Sequence, residues 1–214
     1  MTIVKICGLR SVFEARVALQ SGANLLGFVF WTPGKRYIEP GDAARIIASL
    51  RAESLEWSAV GVFVDPTLAE VEQAAAVCGL DYVQLSGQEP RELVERMPRP
   101  TFKALHVRTG GEAVAVEAVA SNSLGAHRYL LDTHTDHLPG GTGRSFDWGA
   151  LRSVGPSCLV AGGLRPDNVG GALDALMPFG VDVSSGVEFA GGGKDPHLIR
   201  AFVEAVRTYD HRSD

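Results

Sequence analysis

The apolar positions of this chain fall into two alternating patterns. Short continuous runs, most of them rich in β-branched residues, occur at Ile3–Cys7, Leu25–Phe30, Ala59–Val64, Tyr82–Leu85, Phe102–Val107, Tyr129–Asp132, Cys158–Ala161 and Val181–Ser184. Continuous runs are what strands buried on both faces show, in place of the strict alternation of half-exposed ones. Between them, apolar residues recur at helical spacing. Leu198, Ile199, Phe202, Val203 and Val206 share one face, while Arg200, Glu204 and Arg207 point elsewhere. Ala43, Ala44, Ile47 and Leu50 form a second stripe, and Leu68, Val71, Ala75 and Cys78 a third. Asp65-Pro66 and Asp195-Pro196 each place a capping side chain before a proline whose missing N–H costs nothing at the first helical position.

Strand and helix signals that alternate from end to end predict repeated βα units and a parallel sheet. Eight such runs close most economically as a single (β/α)8 TIM barrel, one α/β domain over residues 1–214. A doubly wound open sheet is the alternative. No low-complexity tract, Ser/Gly-rich linker or composition shift marks a second domain, and 214 residues with 45% hydrophobic content can bury a sizeable core.

Charge narrows the function. A formal net charge of −5 without any clustered Lys/Arg stripe argues against a nucleic-acid surface. Met1–Cys7 enters a strand directly, with no basic leader, and no apolar stretch is long enough to span a bilayer, so the expectation is a cytoplasmic protein without a membrane partner. Cys7, Cys78 and Cys158 show no Cys-x-x-Cys spacing, which indicates neither a disulfide framework nor a zinc site. His134 and His137 read as loop histidines, so no metal is expected.

In a barrel, chemistry belongs to the carboxyl ends of the strands and the loops after them. Asp132 closes the sixth run and leads into a long loop with Gly140, Gly141, Thr142 and Gly143; near Asp147-Trp148 there is room only for a stunted helix. Cys7 ends the first run, and its position leaves open a ligand-facing thiol or a packed structural one. Cys78 and Cys158 fall in a helix stripe and a strand and read as structural. Gly162 and Gly163 after the seventh run, and Ser184, Ser185 and Gly186 at the end of the eighth, offer backbone donors where barrels commonly hold phosphate. A helix is expected to begin near Pro166. Arg36, in the loop Trp31–Tyr37, presents a planar fork suited to a carboxylate. Asp182, an acid inside a barrel strand, needs a partner, and a structural ion pair and a substrate hydroxyl are both open.

Taken together, the segments KICGL at Lys5–Leu9, KRY at Lys35–Tyr37, VGVFV at Val60–Val64, VQLSG at Val83–Gly87, LLD at Leu130–Asp132, GGTG at Gly140–Gly143, FDW at Phe146–Trp148, AGGL at Ala161–Leu164 and DVSSGVE at Asp182–Glu188 resemble the phosphoribosylanthranilate isomerases of tryptophan biosynthesis, nearly end to end. The resemblance implies an Amadori rearrangement of N-(5-phosphoribosyl)anthranilate. Cys7 is then the general base, Asp132 the general acid and Arg36 the contact for the anthranilate carboxylate, with the two glycine loops at the phosphate. It implies a small-molecule phosphosugar as partner, no cofactor, and a monomer or homodimer. Two places depart from the family pattern: Arg10-Ser11 follows KICGL, and Ser86 stands where the family usually has histidine, leaving strand four without an imidazole. Two other classes stay in view. The histidine-pathway sugar isomerase uses an aspartate at the Cys7 position, and a non-catalytic phosphosugar-binding barrel would bind without turnover.

Overall fold

The computed structural model describes residues 1–53, 56–133 and 148–213. Eight parallel strands, β1 (Ile3–Cys7), β2 (Leu25–Val29), β3 (Ser58–Phe63), β4 (Tyr82–Leu85), β5 (Thr101–Val107), β6 (Arg128–Thr133), β7 (Cys158–Ala161) and β8 (Gly180–Val183), close into a barrel in sequence order. The closed barrel, not the open sheet, is the fold. Each strand lies within a residue or so of the predicted run.

The described helices are α1 (Val12–Gln20), α2 (Pro40–Arg51), α3 (Leu68–Cys78), α4 (Arg91–Val94), α5 (Glu112–Ala120), α6 (Val169–Leu176) and α7 (Pro196–Ser213). Their apolar stripes largely follow the expected ones, with Ile46 buried in place of Ala44 in α2 and Ala74 in place of Leu68 in α3. Ile199, Phe202, Val203 and Val206 of α7 are buried, as are Ala43, Ile46, Ile47 and Leu50 of α2. Between β6 and β7 the described residues hold only 3-10 turns, at Trp148–Leu151 and Gly155–Ser157, in keeping with a stunted helix there. His134, His137, Gly140–Gly143, Phe146 and Asp147 lie outside the described residues.

Helix starts depart from expectation twice. Asp65 does not cap α3. Thr67 does, through a capping box with Glu70, while Asp65 takes a left-handed φ of 47° and its carboxylate accepts the Gln88 N–H at 2.6 Å. The reciprocal bonds of Thr67 and Glu70 satisfy two free donors at once, which a lone Asp before proline cannot match. Helix α6 begins at Val169, not near Pro166, because Asn168 folds back to accept the Arg165 N–H and donate to the Gly163 carbonyl. At α7 the expected cap holds: Asp195 accepts the His197 N–H at 2.8 Å.

Strand periodicity separates two cores. Val4, Ile6, Leu26, Phe28, Leu131, Val160, Val181 and Val183 face outward and pack beneath the helices. Leu25, Val60, Phe102, Ala104, Leu130, Leu159 and Ala161 fill the barrel interior. A period of two then fixes which side chains reach the mouth. Lys5 and Cys7 follow Ile3 inward, His106 follows Phe102 and Ala104, and Asp132 follows Leu130.

Candidate active site

Cys7 lies at the carboxyl end of β1 and Asp132 near that of β6, with β7 and β8 between them along the wall. The two side chains therefore approach the same mouth from well-separated parts of its rim. Gly8, with φ of 80°, turns the chain immediately after Cys7, and its N–H binds the Gly27 carbonyl at 2.9 Å. A Cβ at Gly8 would lie 2.5 Å from Arg36 Cδ, so the glycine admits Arg36 beside the first strand end.

Cys7 is only 7% exposed. Burial pushes its thiol above the ordinary range, and the charge of Asp182 adds to that, while Lys5 and Lys194 pull the other way. The thiol is thus packed and at the same time flanked by cations. Cys78 in α3 and Cys158 in β7 are buried, and burial takes their thiols to about 11 and about 12.

Asp182 finds its partner in Lys5, its register neighbour on β1. Nζ donates to Oδ1 at 3.0 Å, and Lys5 is fully buried. An ion pair, one of the two open possibilities, is what the described residues place there. Ser184 donates its hydroxyl to the Cys7 carbonyl at 3.0 Å and accepts from Lys194 Nζ at 3.2 Å, binding the eighth strand end to the first.

Arg36 sits near the same rim, but its fork is occupied. Nε and one terminal nitrogen donate to the two carboxylate oxygens of Glu188 at 2.6 and 2.9 Å. Lys194 Nζ donates to Glu188 Oε1 at 2.8 Å. Burial works against the Glu188 carboxylate, yet the bonds from Arg36 and Lys194 hold it down at about 2.

The two glycine loops meet. Gly162 and Gly163 take φ of 96° and 64° after β7, and Ser185–Val187 forms a single 3-10 turn after β8. A Cβ at Gly186 would fall 1.8 Å from the Leu164 carbonyl oxygen, so only glycine lets these loops close on one another. The two stretches that the sequence singled out are therefore neighbours at the ends of β7 and β8.

Lys5, His106, Glu188 and Lys194 escaped the sequence reading. Lys5 and His106 lie within runs read as buried on both faces, and only the interior positions the structure gives to Phe102, Ala104 and Leu25 reveal which way such residues point. Asp132 and His106 are register partners on β6 and β5, and Asp132 Oδ2 lies 3.2 Å from His106 Nδ1. Glu188 and Lys194 carry no local signal, because the bridge that pairs them belongs to the loop after β8.

A closed parallel barrel carrying a thiol, a carboxylic acid and buried cations at its carboxyl-end mouth defines a (β/α)8-barrel enzyme. The model of the N-(5'-phosphoribosyl)anthranilate isomerase family matches residues 4–205. The isomerase of Desulforudis audaxviator is 44% identical over 209 residues, 97% of this chain and 98% of that protein. Among solved structures, the Thermotoga maritima phosphoribosyl anthranilate isomerase superposes with a TM-score of 0.84 at 36% identity, over 97% of this chain and all of that one. Another structure of such an isomerase, in complex with reduced 1-(o-carboxyphenylamino)-1-deoxyribulose 5-phosphate, gives 0.82 at 34% identity over the same shares. The chain belongs to the N-(5'-phosphoribosyl)anthranilate isomerase family and is an enzyme of the isomerase type.

Proposed function

We propose that this enzyme converts N-(5-phosphoribosyl)anthranilate to 1-(2-carboxyphenylamino)-1-deoxyribulose 5-phosphate, with Asp132 as general acid and Cys7 as general base. The observation that supports the reading is that these two groups stand at the carboxyl ends of β1 and β6, on one rim of the barrel with β7 and β8 between them. Asp132 protonates the furanose ring oxygen, the ring opens to a Schiff base, and Cys7 takes the C2′ proton; the enolamine then tautomerises to the aminoketone. One acid and one base suffice, and the steps call for no cofactor or metal.

The remaining residues take positions around that chemistry. The apposed loops Gly162-Gly163 and Ser184-Ser185-Gly186 supply backbone donors for the phosphate, and Asp182, held by Lys5, borders the sugar. Arg36 meets the anthranilate carboxylate, sharing its guanidinium with Glu188. No helix among the described residues is long and apolar enough to cross a membrane. We place the enzyme in the cytoplasm, as a monomer or homodimer.

The test is a fluorescence assay of the purified protein, following loss of the anthranilate-linked substrate. Turnover that Cys7→Ser and Asp132→Asn each abolish is the expected result. Full activity in either variant refutes its assigned role. Offering the histidine-pathway aminoaldose in the same assay separates the related isomerase, and binding without turnover separates a non-catalytic barrel.

A further inference from the structure

Ser86, without an imidazole, follows β4 directly, yet an imidazole occupies the space beside it. His106 on β5 lies between the ends of its two neighbours, β4 and β6. Its Nε2 lies 2.9 Å from the Ser86 carbonyl oxygen and its Nδ1 3.2 Å from Asp132 Oδ2. Both strand neighbours thus grip one ring.

These two contacts fix a proton count. A carbonyl oxygen can only accept, so Nε2 must carry hydrogen. Neutral imidazole then presents a lone pair at Nδ1, and a lone pair facing a carboxylate oxygen at this distance is repulsive. The contact is satisfied only with one further proton, either on Nδ1, as imidazolium and carboxylate, or on Oδ2, as neutral imidazole and carboxylic acid.

We propose that His106 is the positioning residue of Asp132, and that the two side chains form a dyad whose single shared proton is the one delivered to the ring oxygen of the sugar. This rests on the isomerase reading above. In the step, the proton leaves the dyad for O4′ as the C1′–O4′ bond breaks; the bonding pair stays on O4′, and the nitrogen lone pair forms the C1′=N bond. The dyad is left as carboxylate and neutral imidazole. It regains a proton from solvent, to which the ring is open at 51% side-chain exposure, and the proton that Cys7 took from C2′ balances the cycle on its release.

The electrostatics agree in direction. The Asp132 hydrogen bond, aided by the Ser86 carbonyl, holds the His106 imidazole above its ordinary value despite burial and Lys103. Among the described residues, the charged groups around it are Asp132 on β6 and Lys103 on β5. Lys103 is itself paired at 2.9 Å with buried Glu89 from the loop after β4. A raised value means that the dyad proton is present at low pH and lost as pH rises through that value.

Two measurements test this. The imidazole titration of His106, followed by NMR and assigned by its absence in His106→Asn, needs no substrate; its midpoint should fall in Asp132→Asn, and an unmoved midpoint overturns the dyad. In turnover of the anthranilate substrate, His106→Asn keeps a donor of similar reach but cannot share a proton. Its kcat should drop by about 10- to 100-fold near neutral pH, less than the roughly 10²–10⁴-fold that loss of a general acid itself costs. Its high-pH limb should move down, with KM within a few-fold. A loss that is equal at every pH marks a merely structural residue and sinks the inference while leaving the isomerase reading intact. A parent enzyme that does not turn over the substrate sinks that reading itself.

Discussion

Lys5 and Asp182, 177 residues apart in sequence, are joined inside the barrel by a 3.0 Å bond from Nζ to Oδ1. Register brings them level on adjacent strands, and strand periodicity turns both inward. Burial disfavours both charges, and each is kept in place by the other; Lys5 also reaches the neighbourhood of the Cys7 thiol.

Removing one partner strands the other. Lys5→Met should destabilise the fold by about 3–5 kcal/mol, the usual cost of leaving a buried charge uncompensated. Adding Asp182→Asn to Lys5→Met should recover a large part of that loss, because the uncompensated carboxylate is gone. Denaturant unfolding of the two single variants and the double variant measures the coupling. Additive losses would mean that the pair is not a stabilising unit.

Arg36, Glu188 and Lys194 give a pH dependence with a definite sign. Glu188 titrates at about 2 in the fold, against 4.5 for an unperturbed glutamate. A depressed carboxylate contributes stability that is full above the unfolded value and is lost as pH falls through the folded one, so the window runs from about 4.5 down to about 2. Glu188→Gln should flatten the acid unfolding profile in that window. An unchanged slope there would assign acid sensitivity to other carboxylates.

A carboxylate clamp remote from C2′ is held about equally in ground and transition states. Arg36→Ala should therefore raise KM well beyond any fall in kcat. Steady-state kinetics reads this directly, and a lowered kcat at constant KM would place Arg36 at the reacting centre.

The phosphate loops are tested through their contact. Gly186→Ala puts a methyl group against the Leu164 carbonyl, at an ideal separation of 1.8 Å, so the loops must part. Inorganic phosphate should compete with substrate in the parent and lose that competition in the variant. Undiminished inhibition would move the anchor elsewhere.

Cys7, Asp132 and Asp182 were legible because each breaks an apolar run at or near a strand end, where a polar group needs a reason. Their neighbours were less visible for physical causes. His106 lies in a stretch read as a buried run, and only the inward parity of Phe102 and Ala104 reveals its direction. Arg36 was read by its chemistry alone, but its partner Glu188 lies 152 residues away and no local pattern announces it. Lys194 follows three glycines in a loop whose shape is set by tertiary contact. Asp65-Pro66 misled as a cap because a stronger local competitor, the Thr67–Glu70 box, stood two residues on.

The acid and base assignments meet their sharpest test together. At reference values near ~3.9 for Asp and ~8.5 for Cys, thiolate with carboxylic acid lies roughly 6 kcal/mol above thiol with carboxylate. The fold does not close this gap by burying Cys7, since burial moves its thiol further up, and the lowering comes from Lys5 and Lys194. Lys5 and Lys194 oppose that rise without cancelling it, and in the proposed reaction His106 shares the proton on the acid side. Cys7→Ser should cost several orders of magnitude in kcat, because a hydroxyl has no accessible anion near neutral pH even between two lysines. Asp132→Asn should be comparably damaging while substrate affinity stays within a few-fold, since an amide is nearly isosteric but donates no acidic proton. The double variant should be little worse than either single one, because both groups serve one reaction path. General base catalysis is worth roughly 10²–10⁴-fold, so a Cys7→Ser enzyme within about tenfold of the parent would exclude the thiolate as base.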